Sequence, residues 1–420
     1  MSGGLTEQTL PAGWRWVKLE DLVDPFNGYW GEDAPFDMST EMTVLGVGNI
    51  TNNGYIRLKG ATIRHFSLQD MEAVVSEGDL LVVKSSGSAA NIRSGKTGIC
   101  SPELDGKIAY SNFMIRLSSR RSIVDPYLLW HILNSDIAKE FIKKIVGGST
   151  YPNIKWSTYK DFTFPLPALP EQKRIAAILT EQMAAVEKAR AAAEARLKAA
   201  KELPASYLRE VFKSEKTQGW HTMALGDAGE VVSGVTLGSK IKKVKVRAVP
   251  YLRVANVKDG HLDLNDVKTI EVTENEIQRW RLQAGDLLLT EGGDPDKLGR
   301  GSFWNDEIPE CIHQNHIFRV RFPQDRFLPE FLSAQMSSEY GKSYFLAHAK
   351  QTTGIATINQ KVLKAFPLLV PPIKEQMEIA EAISSKISTA NQICTMLFEE
   401  LTTINKLPAA LLRQAFAGEL

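Results

Sequence analysis

The sequence predicts a mixed α+β protein made of two similar halves, each a domain of short strands followed by one long helix. Three observations support this prediction. Motifs of the first half return about 204 residues later, short strand-like runs are interrupted by Gly, Asn and Pro, and two segments show the apolar spacing of a long helix.

The repeat is visible at both ends of each half. The offset between matching motifs stays between 203 and 207 residues, so insertions are small and confined to loops. This period far exceeds the roughly 20–50 residues of a solenoid unit and therefore indicates a duplicated domain pair. The recurring motifs include Gly13-Trp14 as Gly219-Trp220, Gly78-Asp79-Leu80-Leu81 as Gly285-Asp286-Leu287-Leu288, and Leu203–Phe212 as Leu407–Phe416.

Each half changes its sequence texture once. Strand-like runs such as Asp79–Val83 dominate first, with one helix-like segment from Pro126 to Val146. The apolar residues on one face of that segment are Leu128, Leu129, Ile132 and Leu133. Pro-rich hinges then precede a long helix. We therefore expect domains at 1–166 and 218–370 and helical spacers at 167–217 and 371–420.

The two long helices carry apolar stripes with alternating spacings of three and four, as in a coiled-coil seam. The first stripe is rich in Ala and the second in Ile and Leu, so the helices can approach closely. We predict that they pack antiparallel as a coiled coil and give the halves a pseudo-two-fold relation. The alternative is that each helix packs only on its own domain. Pro204 and Pro408 predict a kink or restart. The stripes are Ile175, Leu179, Met183, Val186, Ala189, Ala193, Leu197, Ala200, Leu203, Tyr207 and Val211, and Ile379, Ile383, Ile387, Ala390, Ile393, Leu397, Leu401, Ile404, Leu407, Leu411 and Ala415.

Composition limits the class of protein but not its activity. The chain has 420 residues, 43% apolar and 24% charged, as in ordinary globular domains. Its three cysteines are far apart, which argues against a disulfide framework and predicts a cytoplasmic protein. The amino terminus lacks secretory features, and no apolar run approaches a membrane span. A net charge of +1 neither requires nor excludes nucleic acid.

Catalytic motifs are not apparent in the sequence. Ala90–Thr97 loosely matches a phosphate-binding loop, but Gly98–Pro102 does not begin the helix that this loop requires. His313 and His316 would point to opposite faces of a strand, which disfavours a metal site. A methyltransferase would need a Gly-rich cofactor loop and an Asn/Asp-Pro-Pro-aromatic tetrapeptide, and neither is present. Together these observations favour a binding protein.

Several polar and basic segments fit contact with DNA. The strip Lys240–Arg247 has five basic residues in eight and no acid, which suits phosphate contacts, although a solvated strand face is the alternative. Polar loops in each half could bond the DNA backbone or base edges, although ordinary surface loops would look the same. The candidate DNA-binding residues are Ser85, Ser86, Asn91, Arg93 and Lys96; Ser149, Thr150, Tyr151 and Asn153; Lys240, Lys242, Lys243 and Lys245; Lys297 and Arg300; and Thr352 and Thr353.

Two α+β domains are each followed by a Pro-rich hinge, an entry containing Glu-Gln and a long helix, over nearly the whole chain. The motif stands at Pro167–Ala176 and again at Pro371–Ala380. One departure is Lys374, which replaces Pro170 of the first copy. This order of segments resembles the specificity subunits of type I restriction–modification systems.

The resemblance implies that each α+β domain is a target-recognition domain that reads a few base pairs of double-stranded DNA. The helix pair would act as a ruler, so that the site is bipartite with an unread spacer. Two DNA methyltransferase subunits would dock on the helices, and restriction subunits with motor activity would add to them. S-adenosylmethionine, ATP and Mg would then be bound by those partners, while this chain has no cofactor, metal or catalytic site. The 34 residues from Pro170 to Leu203 would span about 50 Å, or roughly fifteen base pairs.

Two other classes of function stay open on the sequence. A stand-alone DNA-modifying enzyme with an unrecognised active site would bind S-adenosylmethionine or cleave DNA without partners. A coiled-coil scaffold unrelated to DNA would show no salt-sensitive binding to duplex DNA.

Overall fold

A computed structural model describes residues 10–67, 72–88, 91–146, 152–236, 245–293, 298–352 and 355–420. The chain forms two compact units. Unit 1 runs to Ala193 and also includes Glu400–Leu420, whereas unit 2 is Glu194–Glu399. Each unit therefore contains helical segments from both halves of the sequence repeat.

Most strands and helices of unit 1 come before the first long helix, and the first part of that helix also belongs to this unit. The strands are β1 (Arg15–Lys18), β2 (Val23–Asn27), β3 (Thr40–Leu45), β4 (Thr62–Phe66), β5 (Leu80–Val83), β6 (Gly87–Ser88), β7 (Asn91–Ile92), β8 (Thr97–Ile99), β9 (Ile108–Tyr110), β10 (Met114–Ser119) and β11 (Thr163–Leu166). The helices are α1 (Pro126–Leu133), α2 (Asp136–Ile145), α3 (Trp156–Tyr159) and α4 (Leu169–Phe212), the last of which continues into unit 2.

Unit 2 repeats these elements. Its strands are β12 (His221–Ala224), β13 (Glu230–Ser233), β14 (Val246–Leu252), β15 (Lys268–Thr273), β16 (Leu287–Thr290), β17 (Gly292–Gly293), β18 (Gly301–Phe303), β19 (Ile312–His313), β20 (Ile317–Arg321), β21 (Lys350–Thr352), β22 (Ile355–Thr357) and β23 (Pro367–Val370). Its helices are α5 (Leu225–Ala228), α6 (Glu274–Trp280), α7 (Pro329–Ser337), α8 (Glu339–His348), α9 (Gln360–Lys364) and α10 (Ile373–Ile404), and α11 (Leu407–Ala417) belongs to unit 1.

Three sheets have the same strand order in both units, whereas β6-β7 of unit 1 and β17-β22-β21 of unit 2 differ. Unit 1 contains β2-β10-β5-β8, β4-β3-β9 and β1-β11, and unit 2 contains β13-β20-β16-β18, β15-β14-β19 and β12-β23. Both faces of strand β5 are buried against other elements, which accounts for its apolar sequence, since successive side chains of a strand point to opposite faces. Leu80 and Val82 belong to one core, which includes α1, and Leu81 and Val83 belong to another, around β3 and β9.

The segment from Pro126 to Val146 forms two helices, so the expectation of one helix is wrong. The first helix ends at Leu133 with Asn134 as its C-cap. Ser135 caps the second, because its hydroxyl oxygen accepts a hydrogen bond from the Ala138 amide at 3.4 Å. The apolar face predicted within this segment is confirmed. Its buried members are Leu128, Leu129, Ile132 and Leu133.

The two prolines in the long helices have different effects. Helix α4 continues through Pro204, so a restart there is wrong, whereas α10 ends at Ile404 and α11 begins at Leu407, next to Pro408. A proline inside a helix costs roughly 3 kcal/mol. Burial of Leu208 and Phe212 in the core of unit 2, just after Pro204, offsets that cost.

The long helices pair antiparallel within each unit, as predicted. In unit 1, Arg174 donates to the Leu420 carbonyl, while Val186 and Ile404 line one shared cavity. The core there combines Ile175, Ala176 and Leu179 with Leu412 and Ala415. In unit 2 the pairing core combines Leu208 and Phe212 with Ala380 and Ile383. Three residues of the predicted stripes are exposed instead: Ala189, Ile393 and Leu407.

The Glu-Gln motif fastens the start of each long helix to its domain. Gln172 is buried, and its side-chain oxygen accepts from the Asp125 amide at 2.8 Å. Its amide group donates to the carbonyls of Ile123 at 3.1 Å and Pro167 at 2.9 Å. Gln376 makes the same three bonds in unit 2, with Leu328, Arg326 and Pro371.

Replacing Gln172 with Ala should lower the free energy of unfolding of unit 1 by roughly 3 kcal/mol. The substitution leaves one backbone amide and two carbonyls without their partner, and each unsatisfied buried group costs about 1–3 kcal/mol unless water replaces it. Urea denaturation would measure the loss. The exposed neighbour supplies the control, since Lys173→Ala should change stability by less than about 0.5 kcal/mol. Equal stability of the two variants would contradict this role.

Candidate nucleic-acid interface

The two polar loops predicted in the first half lie side by side in unit 1. Ser85, which follows β5, forms an antiparallel bridge with Asn153. Ser94 is buried between the loops, and its hydroxyl donates to the Pro152 carbonyl at 2.6 Å. Two separate stretches of sequence therefore build one surface. The predicted residues Ser149, Thr150 and Tyr151 lie outside the described residues.

The first loop is a short hairpin that is followed by two basic residues, Arg93 and Lys96. Asn91 begins β7, which pairs with β6, and the exposed Arg93 donates its amide to the Ser86 carbonyl at 3.3 Å. Lys96 donates to the Asn52 side chain. Partial burial and the nearby charge of Arg93 lower the pKa of Lys96. An anion bound here would offset both effects, because it would stabilise the charged ammonium group.

Two adjoining clefts extend this surface. The first lies between Asn52, Ser86, Arg93 and Lys96, and the second contains Lys59 together with the aromatic side chains Trp30 and Phe113. Phe113 is 54% exposed, which is unusual for so large an apolar side chain. Among the described residues that line the two clefts there are three cations and no carboxylate. This arrangement can attract phosphate and also offers flat apolar surface to bases.

Unit 2 brings the corresponding loops together. The Thr290 amide donates to the Arg300 carbonyl at 2.8 Å, as the Val83 amide does to the Lys96 carbonyl at 2.8 Å. Arg300 therefore occupies the position of Lys96. Strand β17 pairs with β22, and β22 pairs with β21, which ends at Thr352. The predicted residues Lys297 and Thr353 lie outside the described residues.

The basic strip before β14 is described only at its end. Lys240, Lys242 and Lys243 lie outside the described residues, and Lys245 is exposed. Arg247 forms ion pairs with Glu274 at 3.1 Å and Glu310 at 2.7 Å, and these contacts raise its pKa. The described end of the strip is therefore partly neutralised by acidic neighbours.

Sequence reasoning missed Asn52, Lys59 and Phe113. They reach the clefts because β3, β4 and β9 form a second sheet beside the central one, which is a non-local arrangement. A usable signal was present for Asn52, since it lies two residues after Val44–Ile50, which recurs as Tyr251–Val257.

The structure shows where the loose phosphate-binding motif and the two histidines lie. Thr97–Ile99 is a strand, so no helix terminus follows Lys96 to hold a phosphate. His313 is buried and His316 is exposed. Within the described ranges, His, Cys, Asp and Glu form no group of three or more suited to a metal ion. The helices of that same part of the chain include none that is both long and apolar enough to cross a membrane.

Comparison with known proteins supports the reading of two equivalent domains. The family model "Type I restriction modification DNA specificity domain" matches twice, at residues 11–194 and 217–403. The specificity subunit of the type I restriction enzyme EcoKI from Escherichia coli K12 is 26% identical over 98% of this chain and 90% of its own length. The StySPI specificity subunit from Salmonella potsdam is 24% identical over the same shares.

Solved structures share the fold. The HsdS subunit from Thermoanaerobacter tengcongensis gives a TM-score of 0.60 at 20% identity and covers 99% of both chains. A chain from a study of complex assembly and conformational transition of the type I R-M system gives 0.74 at 21% identity, over 98% of this chain and 100% of the other. Since the family model covers most of the sequence, this chain belongs to the type I restriction modification DNA specificity family.

Proposed function

We propose that this chain is a non-catalytic specificity subunit that reads a bipartite DNA site with an unread spacer. One observation carries the proposal: each half of the chain matches the specificity domain once, and each unit joins one pair of polar loops into a single surface. Two such surfaces in one chain suit two separate half-sites. A stand-alone enzyme or a scaffold would not require this duplication.

The proposal includes the partners expected of the family. Two DNA methyltransferase subunits and the restriction subunits would act at the site that this chain selects. S-adenosylmethionine, ATP and Mg would be bound by those subunits. Sequencing the methylated positions of a host with and without this chain tests the proposal directly. Loss of methylation at one bipartite motif supports it, whereas S-adenosylmethionine binding or DNA cleavage by the purified chain would favour an enzyme.

Replacing Arg93 and Lys96 with Ala should weaken binding to all duplex sequences alike. Each lost phosphate contact should reduce the slope of log affinity against log salt by up to about one unit. Titration of labelled duplexes at several salt concentrations would measure this slope. Lys107→Ala is the matched control, because Lys107 is an exposed cation that lies away from the clefts. Its loop precedes β9, and Asp105 in that loop accepts a hydrogen bond from the amide of Glu77, which lies before β5, whereas the candidate surface follows β5. An unchanged slope in the double variant would place this surface away from DNA.

Lengthening both long helices should lengthen the spacer and leave the half-sites unchanged. Four residues inserted after Ala193 in α4 and after Glu399 in α10 fall between the two compact units, so the packing inside each is kept. Four residues add about 6 Å, or between one and two base pairs. Methylome sequencing should show the same two elements with a longer gap. New half-site sequences with the original gap would refute the ruler role.

A further inference from the structure

The two reading surfaces differ in charge at one equivalent position. Lys84 follows β5, and its amide donates to the Phe113 carbonyl at 2.8 Å. Glu291 follows β16, and its amide donates to the His316 carbonyl at 2.9 Å. The backbone bonds make Glu291 the counterpart of Lys84 and His316 the counterpart of Phe113. Unit 2 thus presents an acid and an imidazole where unit 1 presents a cation and a phenyl ring.

Glu291 and His316 form a hydrogen-bonded pair at the surface. The distance from His316 Nδ1 to Glu291 Oε2 is 2.6 Å, and the two side chains are 54% and 32% exposed respectively. An ionised carboxylate can only accept, so the proton lies on Nδ1. Nε2 of the same ring lies 3.5 Å from Asn315 Nδ2. The pair therefore offers an incoming ligand the remaining lone pairs of the Glu291 carboxylate, held in place by His316.

The position of the pair places it among the candidate DNA-binding residues of unit 2. The Ile358 amide donates to the Glu291 carbonyl at 2.9 Å, and the next two residues form β17 against β22. Arg300 enters β18 on the other side of β16. A carboxylate on such a surface is repelled by phosphates, and a hydrogen bond that it accepts from a base amine would offset this repulsion.

Base chemistry selects one partner for a carboxylate. In the major groove, guanine presents acceptors and thymine presents an acceptor and a methyl group. Adenine presents its N6 amine beside the acceptor N7, and N7 would repel a carboxylate. Cytosine presents only its N4 amine, and Glu is the side chain suited to accept from it.

We propose that Glu291, oriented by His316, determines specificity in unit 2 by accepting a hydrogen bond from the N4 amine of a cytosine in its half-site. This inference rests on the proposed function and adds a residue and a base to it. Unit 1, with Lys84 and Phe113 at the same position, reads different chemistry there, so the two half-sites differ at this position.

The test uses the full chain with its methyltransferase partner in the native host, and reads the methylated motif by sequencing. Glu291→Gln should relax a single G·C pair of one half-site and admit A·T there, because an amide can bond both N6 and N7 of adenine. Competition binding with duplexes that differ at that pair should show discrimination reduced by about 5- to 100-fold. The other half-site should be unchanged.

Two further variants keep the experiment decisive. His316→Phe copies the residue of unit 1, retains Glu291 and should relax the same G·C pair. Glu330→Gln is the matched control, because Glu330 is an exposed carboxylate at the start of α7 in the same unit. The inference is overturned if Glu291→Gln and His316→Phe both keep the wild-type motif, or if the relaxed pair is A·T in the wild-type motif. Absence of any motif dependent on the wild-type chain would instead refute the proposed function.

Discussion

A fragment comprising residues 1–217 should form a stable dimer at micromolar concentration. Alone, it loses α11, whose Leu412 and Ala415 share the unit 1 core with Ile175 and Leu179. An apolar stripe of this kind rarely stays exposed to solvent. A second copy can cover it, because the repeat aligns Leu208 and Phe212 of the fragment with Leu412 and Phe416 of the native chain. Light scattering or analytical ultracentrifugation would measure the mass.

The dimer should also read DNA differently from the whole chain. It carries the first recognition domain twice in an isologous arrangement. With methyltransferase subunits, it should direct methylation to a palindromic split site built from the first half-site alone. The double variant Leu208→Ala, Phe212→Ala of the same fragment is the control and should abolish dimerisation. A soluble monomeric fragment would contradict the role of helix pairing in completing the core of unit 1.

Acidification from pH 7 to pH 5 should cost each unit roughly 2 kcal/mol of stability through one buried histidine. Burial lowers the pKa of His131 in unit 1 to about 4, and burial likewise lowers that of His313 in unit 2 to about 4. The unfolded chain binds the proton near the ordinary pKa of 6.5. Between those values the unfolded state holds more protons, so stability is full above about pH 6.5 and falls as pH decreases toward 4.

Denaturant titrations at pH 7, 6 and 5 would measure this loss. His131→Leu should flatten the pH dependence of unit 1, because it removes the group whose pKa is lower in the folded than in the unfolded state. His221→Gln, at an exposed position of β12, should leave the dependence unchanged. An unaltered slope in His131→Leu would show that other groups carry the effect.

The repeat explains why so much of the fold follows from sequence. Equivalent strands such as β5 and β16 recur with the same apolar run, and both prove to be covered on two faces. Periodicity could not locate the break at Ser135, since it depends on one hydroxyl that caps α2. It also could not foresee that α4 passes Pro204 unbroken, because that outcome depends on packing by distant residues.

The sequence predicts residues of the candidate surface only where the repeat places a similar residue at the equivalent position of the other half. Lys96 and Arg300 were both proposed, and their backbone bonds make them equivalent. Glu291 and His316 are 25 residues apart, so the sequence does not show that they are paired. They come together because β16 ends where β20 begins. Phe113 likewise belongs to the surface because of its exposure, which no apolar pattern predicts.

The composition of unit 1 also sets an order of events during synthesis. Its core needs Leu412 and Ala415, which leave the ribosome roughly 200 residues after Ala193. At about 5–20 residues per second, this delay lasts roughly 10–40 seconds. During that interval the nascent chain presents Ile175 and Leu179 without their cover, although all strands of unit 1 have been made. The first domain to be translated is therefore the last to be completed, and a chain that terminates before α11 leaves the apolar stripe of that domain uncovered.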